Sequence, residues 1–309
     1  MSPTLFSNLA RKLQQAMADA AWAQWRALGG QVSAREPASI VDPEALVLAS
    51  LWLKDDEPRF WDLLAGFAHA GSRLLSVQRL RRLAERFPSD AVARVGQFAR
   101  VAAGVPGDPR WRALAGSKRV AVYRSKKVAP PAGQLTRPGA LLLRFRTAFG
   151  VDVRTDALAY LLGKDGARVT VSEVAADLGY ADNTVRGACE ALANARLISA
   201  EPERPARYHA SSPRWSRLLE MPAMPRWHPW WQGYLSALAL RDWLRGEQLR
   251  RASPTAAGIL TRDWVQNHRA MLAHLGLEVP DPRDSPGGSF LRPFEALAGQ
   301  LVDWLGKGL

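Results

Sequence analysis

Cysteine occurs once in the 309 residues, as Cys189. A lone thiol excludes an intrachain disulfide and offers no metal cluster. Its place on the inner side of a candidate helix predicts a buried, inert group. Long apolar runs are missing too. Nothing approaches the roughly 20 residues that a helix needs to cross a bilayer, and the opening MSPTLFSNLARKL lacks a signal-peptide core. These absences predict a cytoplasmic protein. Histidine is sparse, at positions 69, 209, 228, 268 and 274. His268 and His274 sit six apart on one helix and point to different faces, and neither has a carboxylate or histidine at i+4 to make a zinc face. There is no Gly-rich phosphate loop, no G-x-S-x-G and no Cys–His nucleophile. Asp55-Asp56-Glu57 is an acidic turn without the second acidic cluster that a two-metal nuclease needs. The expectation is a protein that is no enzyme and uses no metal or cofactor.

Acidic residues are also short, 29 against 42 Lys and Arg, for a net charge of +13. Such a balance suits a polyanionic partner. Residues 116–140 carry Lys118, Arg119, Arg124, Lys126, Lys127 and Arg137 and no acid, so +6 of the +13 lies in 25 residues. Their Pro and Gly density marks a connector. With Tyr123 among them, Arg119, Arg124, Lys126 and Lys127 fit an arm that contacts phosphates, against the plainer alternative of a soluble linker.

What is abundant is helix signal. Residues 3–28 carry a stripe through Leu5, Leu9, Leu13 and Met17 that Gly29-Gly30 ends. Asp42-Pro43-Glu44 is a helix start: capping carboxylate, Pro at the first position, an acid at the positive end of the dipole. Further helices are predicted after Pro58, over 74–87 and after Asp90. The arginines of 74–87 (Arg79, Arg81, Arg82 and Arg86) read as a solvated face. Residues 140–149 give a helix with Arg144 and Arg146 outward. Residues 211–229 read as irregular, and helices are predicted over 229–244, from Pro254 to Gly276, and over 291–305. Twelve tryptophans are many for this length, and Trp227, Trp230 and Trp231 read as core filling at a domain junction, with an aromatic cage for an effector as the alternative.

One stretch organises the rest. From Thr170 to Ala210 the chain reads TVSEVAADLGYADNTVRGACEALANARLISAEPERPARYHA. Val171, Val174, Ala175 and Leu178 fall on one helical face, Gly179 supplies the φ > 0 of a sharp stop, and Asp182 has the chemistry of an N-cap for a second helix. Val185, Ala188 or Cys189, and Leu192 then face inward, while Asn183, Thr184, Arg186, Gly187 and Glu190 face out. Residues 197–199 and 207–210 read as a two-stranded ribbon closed by the loop 201–205, with Val169 as a possible third strand and 154–162 as the preceding helix. This is the pattern of a winged helix-turn-helix.

The S-E-V-A-x-x-L-G of 172–179, the N-T-V-R of 183–186 and the A-L-x-x-A-R-L-I of 191–198 resemble the DNA-reading half of bacterial winged-helix transcription regulators of the MarR and ArsR superfamilies. The resemblance covers about 70 of the 309 residues. It implies a second helix that enters the major groove and a wing that lies along the backbone or minor groove. Asn183, Thr184, Arg186, Gly187 and Glu190 would then meet DNA on the helix, and Arg204 and Arg207 on the wing.

The fold expected is mostly α. An N-terminal helical domain (1–115) is followed by the basic connector (116–139), a winged helix-turn-helix with a two- or three-stranded wing (140–212) and a C-terminal helical segment (213–309). The expected function is sequence-specific binding of duplex DNA as a transcriptional repressor. The protein would be a homodimer through its terminal helices. The alternative is an antitoxin-like or scaffold protein that grips a protein partner through its helical domains and autoregulates through the winged helix.

Overall fold

The structure, a computed structural model, describes residues 4–88, 90–104, 108–116, 135–283 and 287–308. It is mostly helical and has a small three-stranded antiparallel sheet. Its contacts divide it into two compact units, residues 21–230 and residues 4–20 with 231–308. Among the described residues, no helix is long and apolar enough to cross a membrane.

The first helix, α1 (Thr4–Ala27), ends in the larger unit. There Trp25 Nε1 donates to Ser50 Oγ at 2.9 Å and Trp22 stacks on Phe60 at 4.2 Å. Ser50 lies in α2 (Pro43–Leu53), every residue of which is buried. The helix starts as Asp42-Pro43-Glu44 predicts: the Asp42 carboxylate accepts from the Ala45 N–H at 3.2 Å, and Pro43 occupies the first turn, where its missing N–H costs nothing. The bundle continues through α3 (Arg59–Ala70), α4 (Val77–Ala84), α5 (Ala91–Ala103) and the short α6 (Arg112–Ala115).

Beyond the connector come α7 (Leu141–Phe149), α8 (Val153–Gly163), strand β1 (Val169–Thr170), α9 (Val171–Leu178), α10 (Asp182–Asn194), β2 (Ser199–Glu201) and β3 (Arg207–His209). The strand order is β1-β3-β2, with Val169 opposite Tyr208 and Ala200 opposite Tyr208 from the other side. A single core joins these elements: Leu158, Leu161, Val174, Leu178, Val185, Leu192, Ile198 and Tyr208 are buried together. Residues 211–229 are not wholly irregular, because α11 spans Ser212–Leu218. Pro213 sits in its first turn, where a proline favours a helix that the Pro-rich composition had argued against. Trp227 joins the core of this unit, edge-on to Tyr160 at 5.4 Å, and Trp230 Nε1 donates to Ser39 Oγ at 3.2 Å.

The smaller unit adds α12 (Trp230–Leu244), the short α13 (Glu247–Arg250), α14 (Pro254–His274) and α15 (Leu291–Lys307) to the start of α1. Leu9, Leu13 and Met17 of α1 and Leu297, Leu301 and Trp304 of α15 are buried. The apolar stripes of the terminal helices are therefore satisfied within one chain.

Arg79 and Arg146 correct the reading of two helices. Both were expected on solvated faces, and both are 1% exposed. Arg79 donates from Nη1 and Nη2 to the Asp42 carboxylate at 2.6 Å, from Nη1 to Glu44 Oε2 at 2.6 Å, and from Nε to the Leu178 carbonyl at 2.7 Å. Arg146 forks onto Asp156 at 2.8 and 2.7 Å, reaches Glu44 Oε1 at 2.6 Å, and donates to the Leu74 carbonyl at 2.9 Å. The Tyr180 hydroxyl donates to Asp156 Oδ2 at 2.8 Å, and the Ser76 N–H to Glu44 Oε1 at 2.7 Å. Burial is the largest influence on Asp42 and raises its pKa, but the charge and hydrogen bonds of Arg79 outweigh it and hold the group below its ordinary 3.8.

Two measurements follow from this network. Removing one partner of a buried ion pair strands the other at a cost of about 3–5 kcal/mol. Arg146→Met, which leaves Asp156 without a guanidinium and Glu44 with that of Arg79 alone, should lower stability to urea by about that amount, whereas Arg81→Met on the exposed face should change it by less than about 0.5 kcal/mol. Asp42 also contributes to an acid transition. Its native pKa is depressed, so its contribution is complete above 3.8 and is lost as pH falls from there through the native value. Stability measured by urea between about pH 5 and pH 2 should fall, and Asp42→Asn should flatten that fall while lowering stability at pH 7.

Candidate functional site

The exposed elements of the 153–209 segment are set by local chemistry. Thr170 and Glu173 close a capping box on α9: the Thr170 hydroxyl accepts from the Glu173 N–H at 3.3 Å, and Glu173 Oε2 accepts from the Thr170 N–H at 2.7 Å. Those hydrogen bonds hold the Glu173 carboxyl below its ordinary range. Gly179 ends α9 at φ 71°, ψ 28°, a left-handed conformation that a β-carbon disfavours. Three residues, Gly179 to Ala181, therefore suffice to turn the chain into α10.

The N-cap of α10 is Ala181, not Asp182. Asp182 is the first helical residue, and its carboxylate accepts from Ser172 Oγ at 2.7 Å. The preference of a carboxylate for the positive end of a helix holds at that position too, and the hydroxyl of α9 draws the side chain away from the capping geometry. Ser172 thus ties the start of one helix to the start of the next, a contact that no local pattern announces.

Val185, Ala188, Cys189 and Leu192 are the buried residues of α10. Asn183, Thr184, Arg186, Gly187 and Glu190 are all exposed. The five helix residues singled out from the sequence therefore lie together on one solvent face. Both candidates for the inner position, Ala188 and Cys189, are buried. The Cys189 thiol is pushed up to about 11, first by burial and then by the Glu190 charge, which leaves it un-ionised at neutral pH.

The β2–β3 hairpin begins two residues later than the sequence suggests. Arg196 takes φ 56° and the Leu197 N–H bonds back to the Leu192 carbonyl at 3.0 Å, so residues 196–197 close α10 before a strand can start. The hairpin is dressed with opposite charges. Arg207 pairs with Glu203 at 3.3 Å and donates to the Arg168 carbonyl at 3.3 Å, while Arg168 pairs with Glu201 at 2.8 Å. Arg204 lies in the loop between the strands and is exposed. Of the two expected wing residues, Arg204 is thus open to solvent and Arg207 is half-buried and engaged. Arg119, Arg124, Lys126 and Lys127 lie outside the described residues.

The sequence reading missed how this face is mounted. The Leu178 carbonyl and the Tyr180 hydroxyl, at either side of Gly179, are held by Arg79 Nε and by Asp156. Burial, with the Asp156 charge after it, raises the Tyr180 pKa, which keeps the phenol a hydrogen-bond donor. Among the described residues, no group of three or more His, Cys, Asp or Glu is arranged to hold a metal ion. The three buried carboxylates of the network, Asp42, Glu44 and Asp156, are filled by guanidinium groups.

No family model matches the sequence, and no curated protein and no solved structure matches it. The function has to be argued from the geometry of the exposed face.

Gly187 gives that geometry a measurable consequence. A β-carbon there would meet no atom within 4 Å, and glycine inside a helix costs roughly 0.5–1 kcal/mol relative to alanine. Gly187→Ala should therefore raise the thermal midpoint, by an amount corresponding to about 0.5–1 kcal/mol. A lowered midpoint would mean that the site is crowded.

Proposed function

We propose that residues 153–209 form a winged helix-turn-helix and that the chain is a sequence-specific duplex-DNA-binding transcription regulator, a repressor that acts as a homodimer. The observation that carries this reading is the outward face of α10, where Asn183, Thr184, Arg186 and Gly187 are exposed from the first turn onward while the opposite face is buried. The first turn of a helix carries a partial positive charge and N–H groups without helical partners, so it suits a phosphate. Asn183 and Thr184 in that turn can hydrogen-bond to a base or to the backbone. Arg186, half a turn further on, has the reach and the fork for guanine O6 and N7. Gly187 lets the helix backbone approach the duplex closely, which accounts for a weak helix former in the middle of the exposed face. Arg204 on the hairpin loop supplies a phosphate contact beside the groove, and Arg119, Arg124, Lys126 and Lys127 add cations for phosphates by their charge. A two-fold dimer would pair half-sites and multiply the specificity of one small module.

A second reading, a winged helix that docks on a protein, is favoured by Asp182 and Glu190. Both carboxylates are exposed on the helix that would face phosphates. The two readings separate in one experiment. On the DNA reading, a cognate duplex selected from a random pool should lose about 1–3 kcal/mol of binding with Arg186→Ala and lose preference at one position. Arg204→Ala should weaken all duplexes alike and reduce the slope of log K against log salt by about 1. Failure to enrich any duplex, or unchanged specific binding by Arg186→Ala, would leave the docking reading standing.

A further inference from the structure

We infer that a cleft in the unit of residues 21–230, between the end of α7, the start of α8 and α11, binds a neutral aromatic molecule. The cleft has a volume of about 350 Å³, within the roughly 300–1,000 Å³ of ligand clefts. Phe149, Leu158, Leu192, Leu197 and Trp215 make most of its lining, and Asp152, Arg154 and Thr155 complete it.

The local course of the chain leaves this apolar wall uncovered. Gly150, at φ 85°, ends α7 and leaves Phe149 at the corner, 60% exposed. Leu197 follows the left-handed Arg196 and is exposed as well. Among the described residues, five large apolar side chains are exposed, and two of them flank this cleft. One exposed leucine or phenylalanine standing singly is ordinary. Two that meet at a concavity, with buried Leu158 and Leu192 in the same lining, mark a surface that gains by being covered. Phe149 and Trp215 both lie against Phe145, at 5.8 and 5.6 Å between ring centroids. A flat aromatic ring can meet such rings edge-on or offset, the arrangements they favour, whereas an aliphatic group gains only area.

Two polar groups narrow the class further. Thr155 is 4% exposed and Trp215 is 7% exposed, and both line the cleft. Neither the Thr155 hydroxyl nor the Trp215 indole N–H has a hydrogen-bond partner among the described residues, and neither atom is sealed from solvent. Beside so much apolar surface an unmet donor is costly, and a ligand oxygen would satisfy it. The indole N–H only donates and the hydroxyl can donate or accept, so the matching group is an acceptor such as a carbonyl oxygen. The charged residues call for no ion. Arg154 Nε donates to Asp152 Oδ1 at 2.8 Å, so the one cation and the one anion of the lining neutralise each other. A charged ligand would lose its water without gaining a counter-charge, a cost that a neutral molecule avoids.

The inference does not rest on the DNA reading, and its test contains no DNA. Naphthalene-2-carboxamide, a flat aromatic with one carbonyl, is titrated calorimetrically into the full chain and into F149S, T155V and the control V92S. Val92 is an exposed apolar residue on α5 that does not line the cleft. Naphthalene-2-carboxylate, of the same shape but negatively charged, is titrated alongside.

One carboxamide per chain with a Kd below about 1 mM is the result expected, weakened about fivefold or more by F149S and by T155V and unchanged in V92S. The carboxylate should bind at least about tenfold more weakly than the carboxamide. F149S alters a mostly exposed side chain, so it decides the matter if T155V loses its fold. The inference is overturned when the carboxamide does not bind, when F149S binds it as the full chain does, when V92S loses as much as F149S, when a folded T155V binds it undiminished, or when the carboxylate binds as tightly.

Discussion

Two guanidinium groups out of contact with water decide how the larger unit is built. Arg79 and Arg146 come from α4 and α7, and their carboxylate partners come from the start of α2 and from α8. A buried cation must be met by anions and by acceptors in fixed directions, or the state that buries it is not populated. The positions of four helices are thereby coupled. The same two arginines also take backbone carbonyls, Leu178 for Arg79 and Leu74 for Arg146, so the turn after α9 and the segment before α4 belong to the network as well.

The stretch between Leu178 and Tyr180 is where this constraint meets the exposed face. Gly179 makes the turn possible, but it does not aim it, since a left-handed glycine fixes one pair of dihedrals and nothing more. The aim comes from Arg79 holding the carbonyl before the glycine and Asp156 holding the phenol after it. Ser172 and Asp182 add a polar tie between the two helix starts. The direction of α10 is thus set by contacts at its start, and the five outward residues ride on it. On the proposed reading, residues that never touch DNA determine which base edge Arg186 can reach.

That division explains what the sequence could and could not reveal. Helix starts at Asp42-Pro43 and Thr170, the stop at Gly179 and the inner face of α10 were legible because each depends on residues within one or two turns of chain. The outward set of α10 followed directly from its period. The burial of Arg79 and Arg146 was not legible. Periodicity placed each arginine beside polar neighbours, and only the arrival of Asp42, Glu44 and Asp156 from more distant segments turns those positions inward. Asp182 failed as a cap for the same reason on a smaller scale, because a hydroxyl ten residues earlier competes for its carboxylate. α11 differs in kind: residues 211–229 lack a clear helical period, and Pro213 supports the helix only because it falls in the first turn.

Well-packed apolar residues often stabilise as much as a buried ion pair of the same volume, so stability alone does not account for so many buried charges. Direction does. Apolar contacts tolerate sliding by an ångström or rotation by tens of degrees, while a guanidinium that forks onto Asp156 and also reaches Glu44 does not. Helices α2, α4, α7 and α8 could pack in several registers by hydrophobicity alone, since α2 is buried along its whole length and, Glu44 and Ser50 apart, is apolar. The observed register brings Glu44 between Arg79 and Arg146, with Asp42 and Asp156 on their far sides, and leaves neither arginine stranded. The polar network therefore selects one arrangement of an otherwise permissive core, and that selection passes through Leu178 and Tyr180 to the helix that carries the candidate site.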